Sequence, residues 1–354
     1  MKIKIVFVLP SLRAGGAERV MSFIASHINN ERFEASLLVI GNNKDQSYSV
    51  KEHTPITFLN KTSVRMALPA TALYIYHNKP HIVIGAIAHV NFALSILAIF
   101  FRRVRFVGRE TIVASALHNL EKSKPRRSFL PDLRRITLSK IVCQSNDMKE
   151  DLISNFGYPA DKLIIIANPV TRRFKLKTKK QKKEPLQLIT VGRLTKQKGY
   201  LRILNVLSRL QEPFEYTIIG SGLEKEAIIS HAIKLNILDK ITHIPFTSTV
   251  ETYLAKSDLF LSGSYVEGFP NVFLESCAVG TPVLAFQAPG GINEIIINGV
   301  NGYTAINEQD FFEKLILCSK KSWDPHTIRH SVMNKYAKEI ILNEYESLFL
   351  SLTV

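Results

Sequence analysis

The chain has 354 residues, 46% of them apolar, and a formal net charge of +16. That length exceeds what a single core ordinarily fills, so two domains are expected, and the apolar fraction excludes a disordered chain. The charge suits nucleic acid, a membrane surface or phosphorylated ligands, and no aromatic-interleaved basic motif, zinc spacing or nucleic-acid motif is present to favour the first.

Met1 to Pro10 begins basic and continues apolar. A signal peptide needs a longer apolar run and a small-residue cleavage site, so residues 2–9 read as a buried strand. The turn through Gly15 and Gly16 leads into a helix over 17–28. Paired glycines at a strand-to-helix turn let a ligand approach the backbone closely. Residues 35–40 and 56–59 read as the next strands, followed by a helix that ends at Asn78-Lys79-Pro80. Residues 81–85 form a further strand, and His89 follows its carboxyl end, where ligands of open α/β sheets sit. The most apolar stretch, 86–101, is interrupted by His89 and Asn91 and is short for a membrane span. Residues 91–101 read as helix and 105–108 as strand, followed by Arg109, Glu110 and Thr111.

From Lys122 to Lys140 basic residues dominate, with Phe129, Leu130, Leu133 and Ile136 interleaved at near-helical spacing. Such a face suits anionic lipid, a solvated basic helix being the alternative. Strand 141–145, helix 146–156 and strand 163–166 follow. Arg172 to Lys183 holds eight Lys or Arg and no acid, a self-repelling block that suits a linker. The expected organisation is therefore a first domain over 1–170, a basic linker over 171–185, a second domain over 186–330 and a terminal helical segment over 331–354.

The second half alternates strand and helix again, as a doubly wound parallel sheet requires. Strand 186–191 runs into Gly192-Arg193-Leu194-Thr195-Lys196-Gln197-Lys198-Gly199 and then an amphipathic helix over 200–210. Arg193 can bind phosphate oxygens through a planar fork and Lys198 can supply a point charge; the alternative is that both are merely solvated. Strand 215–219 precedes Gly220-Ser221-Gly222 and a helix over 223–235. This turn lacks the third glycine of a dinucleotide fingerprint. The next strand, 240–246, ends without an acid to hold a ribose, which sets a dehydrogenase aside. A capping-box start at Ser248 opens a helix to Ala255.

The buried run 259–261 then leads into Ser262 to Glu275. The chain turns at Gly268 and enters a helix with Pro270 near its first position, where a missing N–H costs nothing. The first-turn amides near Asn271, Val272 and Phe273 point out of the helix with its positive dipole end, an arrangement suited to phosphate. Glu267 precedes the helix, and Glu275 lies roughly 7 Å along its axis from Pro270. The two carboxylates can thus face opposite sides of a bound diphosphate, although acids near a helix start are common on any surface. Strand 282–286 is followed by Gly290 and Gly291, placed to border a sugar, and by Glu294. Residues 309–319 and 326–350 read as helices. Cys143, Cys277 and Cys318 are far apart without metal-ligand spacing, which predicts reduced thiols in a cytoplasmic protein.

Together these segments resemble the donor half of the retaining glycosyltransferases of the GT-B class, in particular family GT4, which includes many bacterial surface-polysaccharide enzymes. Glu267 and Glu275 match the paired-glutamate motif. Gly192, Arg193, Leu194, Lys198 and Gly199 match Gly-Arg-Leu-x-x-x-Lys-Gly, and Gly15-Gly16-Ala17-Glu18-Arg19 also fits. The resemblance spans essentially the whole chain. It implies two Rossmann-like α/β domains with doubly wound parallel sheets facing a cleft, the last helix crossing back to the first domain. It implies catalytic roles for Glu267, Arg193 and Lys198. Donor contacts would come from Gly192, Gly220, Gly268, Phe269, Pro270, Asn271 and Val272, from Glu275 on the ribose, and from Phe246 and Thr247 at the base. Gly15, Gly16, His89, Arg109, Glu110, Gly290 and Gly291 would line the acceptor side. Many relatives carry a His at a strand end near the donor sugar; here the approximate equivalent is Glu110, with His118 and His89 as further candidates.

The implied reaction is transfer of a hexose or N-acetylhexosamine from a nucleotide sugar, UDP-linked, with retention at the anomeric carbon. The acceptor would be a lipid-linked glycan such as a polyprenyl-diphosphate sugar, handled at the inner face of the cell membrane in lipopolysaccharide, O-antigen or related synthesis. No Asp-x-Asp occurs in the sequence, so no metal cofactor is expected. A nucleotide-sugar epimerase of the same fold is the rival enzyme, and a nucleic-acid binder the rival of another class.

Overall fold

A computed structural model describes residues 2–13, 15–45, 50–121, 132–172, 174–178 and 185–353. The apolar runs seen in the sequence become strands with near-continuous burial, as a parallel sheet covered by helices on both faces requires. The first half contains β1 (Ile3–Leu9), α1 (Gly16–His27), β2 (Phe33–Val39), β3 (Ile56–Phe58), α2 (Val64–Asn78), β4 (Ile82–Gly85), α3 (Ala88–Phe100) and β5 (Arg105–Arg109). It continues through α4 (Ala114–Leu120), α5 (Leu133–Thr137), β6 (Lys140–Cys143), α6 (Asn146–Ser154) and β7 (Leu163–Ile165). Its seven strands are all parallel, in the order β3-β2-β1-β4-β5-β6-β7.

The second half contains β8 (Leu186–Val191), α7 (Tyr200–Leu207), β9 (Phe214–Ile219), α8 (Lys225–Lys234), β10 (Ile241–Ile244), α9 (Val250–Lys256), β11 (Leu259–Ser262) and α10 (Asn271–Val279). It ends with β12 (Val283–Phe286), α11 (Ile292–Ile295), β13 (Gly302–Ala305), α12 (Glu308–Lys320), α13 (Pro325–Tyr336) and α14 (Lys338–Ser351). Its six strands are parallel in the order β10-β9-β8-β11-β12-β13.

The chain divides into two units. One comprises Met1–Ala114, Lys124–Thr171 and Lys338–Val354, the other Ser115–Ser123 and Arg172–Ala337. The last helix belongs to the first unit: Ile341, Tyr345, Leu348 and Phe349 join the core of β1, β2, β4 and α1. The Phe349 ring meets Phe7 edge-on at 6.1 Å and Phe33 at 6.2 Å. The second core gathers α7, α8 and α12 around β8, β9, β11 and β12, with Phe286 stacked on Phe311 at 4.4 Å.

The structure differs from the sequence reading in places. The terminal helix expected over 326–350 is two helices, broken at Ala337 in extended conformation (φ −57°, ψ 145°), and α13 belongs to the second unit. The segment Gly302–Ala305 is a strand despite its glycine. A Cβ at Gly302 would lie 1.9 Å from the Val283 carbonyl, so the absent side chain permits the pairing. The proposed linker residues Arg173 and 179–184 lie outside the described residues.

Candidate active site

Both sheets reverse their strand order once, between β1 and β4 in the first unit and between β8 and β11 in the second. Crevices outside the carboxyl ends of strands at such points are where open α/β sheets hold ligands. In the second unit, β8 delivers Gly192 to Gly199 and β11 delivers Gly263 to Pro270 side by side.

Backbone geometry locks these two loops together. Gly199 has φ +59°, and a Cβ there would lie 1.8 Å from the Gly263 carbonyl oxygen. A Cβ on Gly263 would in turn lie 2.2 Å from the Gly199 carbonyl. Only glycine fits either position. The Gln197 side-chain amide donates to the Val266 carbonyl at 2.8 Å, and the Tyr265 N–H donates to the Gln197 carbonyl at 2.8 Å. Arg202, on α7, donates through Nε to the Gly263 carbonyl at 2.7 Å and through Nη2 to that of Ser264. Its guanidinium lies 4.0 Å from the Tyr265 ring centroid and 3.9 Å from that of Phe286. Burial pulls its pKa down to about 10, against the opposing pull of Tyr265 and Glu308.

The locked loops bring Lys198 and Glu267 together. The Lys198 ammonium lies 2.6 Å from Glu267 Oε1, and the Ser264 hydroxyl donates to the same oxygen at 2.5 Å. Glu267 is 6% exposed. A carboxylate so far from water is tolerated only when paired and hydrogen-bonded. Gly290 and Gly291, expected on the acceptor side, sit against this loop. Gly290 has φ +121°, and a Cβ there would lie 2.3 Å from the Glu267 carbonyl. The Glu267 N–H donates to the Pro289 carbonyl at 2.9 Å and the Gly291 N–H to that of Gly268 at 2.8 Å. Phe269 is buried beneath Gly291 and meets Tyr336 at 5.3 Å.

Pro270 is the cap residue before α10 (φ −74°, ψ 97°) rather than its first helical residue. The Phe273 N–H, expected to point outward, donates to the Pro270 carbonyl at 3.0 Å and is consumed within the helix start. Asn271 and Val272 open the helix, and Glu275 follows on it, half-buried. Gly192 and Gly220 touch at the ends of β8 and β9: a Cβ on Gly220 (φ +148°) would lie 1.9 Å from the Gly192 carbonyl. Beyond β10, which ends at Ile244 rather than 246, Phe246 is 76% exposed and Thr247 bonds Thr249. Arg193 is exposed, and its side chain makes no hydrogen bond or ion pair with a described residue.

In the first unit, Gly15 caps α1 and Gly16 begins it. His89 is exposed on the first turn of α3, lining a cavity of about 1000 Å³. Arg109 and Glu110 do not line an open surface. Arg109 is fully buried and donates to Asn168 Oδ1 at 2.5 Å. Glu110 is 7% exposed and accepts from Arg134 Nη1 at 3.1 Å and from Asn91 Nδ2 at 3.2 Å. Arg134 is also 2.6 Å from Asp132, which accepts from the Tyr158 hydroxyl at 2.6 Å. Glu110 is thus tied into a buried ion network. The basic stretch proposed as a lipid face lies partly outside the described residues, over 122–131, and Arg134 turns inward from its described part. His118 lies on α4.

Arg202 and Ser264 escaped the sequence reading. An Arg on a helix has no local signature of binding carbonyls sixty residues away, and Ser264 is one of several polar residues in its loop. Among the described residues, no three His, Cys, Asp or Glu gather as a metal site, and no helix is long and apolar enough to cross a membrane.

Residues 171–339 match the family described as glycosyl transferases group 1, and residues 14–173 match glycosyltransferase family 4. An uncharacterised glycosyltransferase of Haemophilus influenzae is 27% identical over 322 residues, covering 88% of this chain and 87% of that one. The N-acetylgalactosamine-N,N'-diacetylbacillosaminyl-diphospho-undecaprenol 4-alpha-N-acetylgalactosaminyltransferase of Campylobacter jejuni is 25% identical over 353 residues, covering 92% of this chain and 91% of that one. Among solved structures, Anabaena HepE in complex with UDP-glucose matches with a TM-score of 0.82 at 17% identity, over 99% of this chain and 100% of that one. The apo lipopolysaccharide outer core galactosyltransferase WaaB matches with a TM-score of 0.77 at 18% identity, over 99% of each chain.

Proposed function

Because this chain is a glycosyltransferase of the GT-B fold, built of group 1 and family 4 domains, we propose that it moves a hexose or N-acetylhexosamine from a UDP-sugar to a lipid-linked glycan. Transfer proceeds with retention and needs no metal. The observation that carries the reading is the Lys198–Glu267 pair, held at 2.6 Å at the switch point of the second sheet. The Campylobacter relative, which acts on an undecaprenol-linked sugar, and the UDP-glucose complex of HepE favour this donor and acceptor.

The donor occupies the second unit. Lys198 and Arg193 stabilise the charge that grows on the departing diphosphate, the kind of preorganised electrostatics that is often the largest catalytic contribution. The bond from the anomeric carbon to phosphate oxygen breaks as the acceptor hydroxyl bonds to the same face, and its proton passes to the leaving phosphate oxygen. Glu267 contacts sugar hydroxyls and offsets the positive charge developing on the ring. Glu275 holds the ribose hydroxyls, and the backbone at Phe246 and Thr247 meets the base. The protein works from the cytoplasmic side as a peripheral protein on the inner face of the membrane.

The test is nucleotide release from a panel of UDP- and GDP-sugars with a polyprenyl-diphosphate sugar as acceptor. UDP release that depends on acceptor and survives EDTA is expected. Activity abolished by EDTA and restored by Mn²⁺ refutes the metal-free step, and conversion of the nucleotide sugar without acceptor refutes transfer.

A further inference from the structure

The two oxygens of the Glu267 carboxylate are treated differently by the protein. The Lys198 ammonium and the Ser264 hydroxyl both reach Oε1, at 2.6 Å and 2.5 Å. No described residue donates to Oε2, and that oxygen keeps contact with solvent although the side chain is 9% exposed. An ionised carboxylate can accept on both oxygens. Two donors gathered on one of them fix the rotamer and leave the other for a group from outside the protein.

The two donors differ in stiffness. Lys198 arrives on a long side chain that can follow the carboxylate. Ser264 is 2% exposed, and its hydroxyl sits directly on Cβ, so its aim is set by the backbone at 263–264. Arg202 clamps that backbone from α7, with Nε on the Gly263 carbonyl at 2.7 Å and Nη2 on that of Ser264. A planar guanidinium can engage two successive carbonyls at once, and a lysine cannot. The plane is held in turn by the Tyr265 and Phe286 rings, with its central carbon 4.0 Å and 3.9 Å from their centroids.

Among the described residues no carboxylate pairs with Arg202, so its charge is directed at main chain. Its slot is also costly, since burial pulls its pKa down to about 10. An apolar side chain between the same two rings would pack there without desolvating a charge. What the guanidinium adds over such a side chain is the hold on residues 263 and 264, three residues before the glutamate.

We propose that Arg202 and Ser264 are positioning residues for sugar transfer: Arg202 fixes the 263–264 backbone, Ser264 pins Glu267 Oε1, and Oε2 is thereby presented to the sugar. This rests on the role given to Glu267 above. The brace acts on charge that appears on the sugar ring only as the bond to phosphate breaks. Its loss therefore falls on kcat, with donor binding kept.

The test is steady-state transfer by the full chain, from whichever UDP-sugar gives acceptor-dependent release, beside calorimetric binding of UDP. The variants are Ser264→Ala, Arg202→Met, the two combined, and Glu267→Gln. Methionine keeps an unbranched apolar side chain between the rings while removing the donors. Ser264→Ala and Arg202→Met each lower kcat by about tenfold or more, with KM for the UDP-sugar and the affinity for UDP within about twofold of the parent. The combined variant is within about threefold of the slower single one, because both act through the same oxygen. Ser264→Ala deletes one oxygen and decides the proposal even where Arg202→Met lowers the melting temperature. Turnover of Ser264→Ala within about threefold of the parent, multiplied losses in the combined variant, or a loss carried by KM with kcat kept, overturns the brace. If Glu267→Gln is then still slower by about a hundredfold, the role of the glutamate stands without it. Parental turnover in Glu267→Gln removes that role and the brace with it.

Discussion

Replacing Lys198 by alanine removes the ammonium 2.6 Å from a carboxylate that is 6% exposed. Among the described residues, Glu267 then keeps the Ser264 hydroxyl, at 2.5 Å, as its side-chain partner. Breaking a fully buried pair costs about 3–5 kcal/mol. The Lys198 side chain is 21% exposed, so water can enter its place. A loss of about 1–3 kcal/mol of stability is therefore expected, comparable to one charged hydrogen bond. The effect on turnover is larger. Loss of one preorganised donor facing developing charge costs about 2.7–4 kcal/mol, a fall of about 10²–10³ in kcat. Nucleotide release at saturating UDP-sugar, measured where denaturant curves show the variant fully folded, separates the two effects. Turnover within threefold of the parent under those conditions refutes the assignment of Lys198 to the leaving group. A double-mutant cycle with Glu267→Gln tests the contact itself. A coupling of about 0.5–3 kcal/mol in stability is expected, and simple additivity means that the observed pair carries no energy.

Arg193→Ala leaves the denaturation midpoint unchanged, because its exposed side chain bonds no described residue, and lowers kcat by about 2–4 kcal/mol of barrier; unchanged turnover removes it from the diphosphate. Gly199→Ala drives a Cβ to 1.8 Å from the Gly263 carbonyl at φ +59°, so its loops separate and both nucleotide binding and melting temperature fall; parental behaviour in calorimetry means the loops are not locked. Burial alone raises the Asp132 carboxyl, but hydrogen bonds from Arg134 and Tyr158 outweigh it and hold the pKa below its ordinary value. A depressed folded pKa contributes stability above the unfolded value of about 3.9, lost as pH falls through the folded one. Asp132→Asn should therefore lower the urea midpoint at pH 7 and flatten its fall below about pH 4; parallel pH profiles count against that network.

The legible parts of the sequence were those whose physics is local. Runs such as Ile5 to Leu9 read as buried strands because each residue is apolar in its own right, and the turns at Gly15-Gly16, Gly192 to Gly199 and Gly220 to Gly222 read as strand-to-helix crossings. The pairing of Lys198 with Glu267 needs the sheet order, which places β8 beside β11 although two strands and three helices separate them in the chain. Arg109 misled for the opposite reason. A charged residue at a strand end invites a solvent-facing reading, yet this one is fully buried and donates to Asn168 beyond β7. Burial raises the Tyr345 phenol of α14, and the Arg109 guanidinium opposes that rise. Neither Asn168 nor Tyr345 is near Arg109 in sequence, so no window around residue 109 could reveal the slot it fills. Gly290 and Gly291 read as a pair bordering the cleft; that they pack on the Glu267 loop of their own unit depends on how β12 lies beside β11 in the sheet, which no local window shows.

The pairing of Lys198 with Glu267 bears on how a doubly anionic donor can use a carboxylate at all. On the proposed chemistry, Glu267 faces a sugar whose diphosphate lies close by. One phosphate charge about 5 Å from a bare carboxylate repels it by about 3 kcal/mol at an effective dielectric of about 20. That is enough to offset much of what a catalytic carboxylate contributes. An ammonium already fixed at 2.6 Å cancels the repulsion before the donor arrives, and the glycine-locked loops fix it without further reorganisation. Lys198 then serves two charges, the leaving phosphate and the glutamate. It follows that Lys198→Ala should weaken UDP-sugar binding less in a Glu267→Gln background than in the parent. Equal losses of donor affinity in both backgrounds, by calorimetry, contradict the shared role.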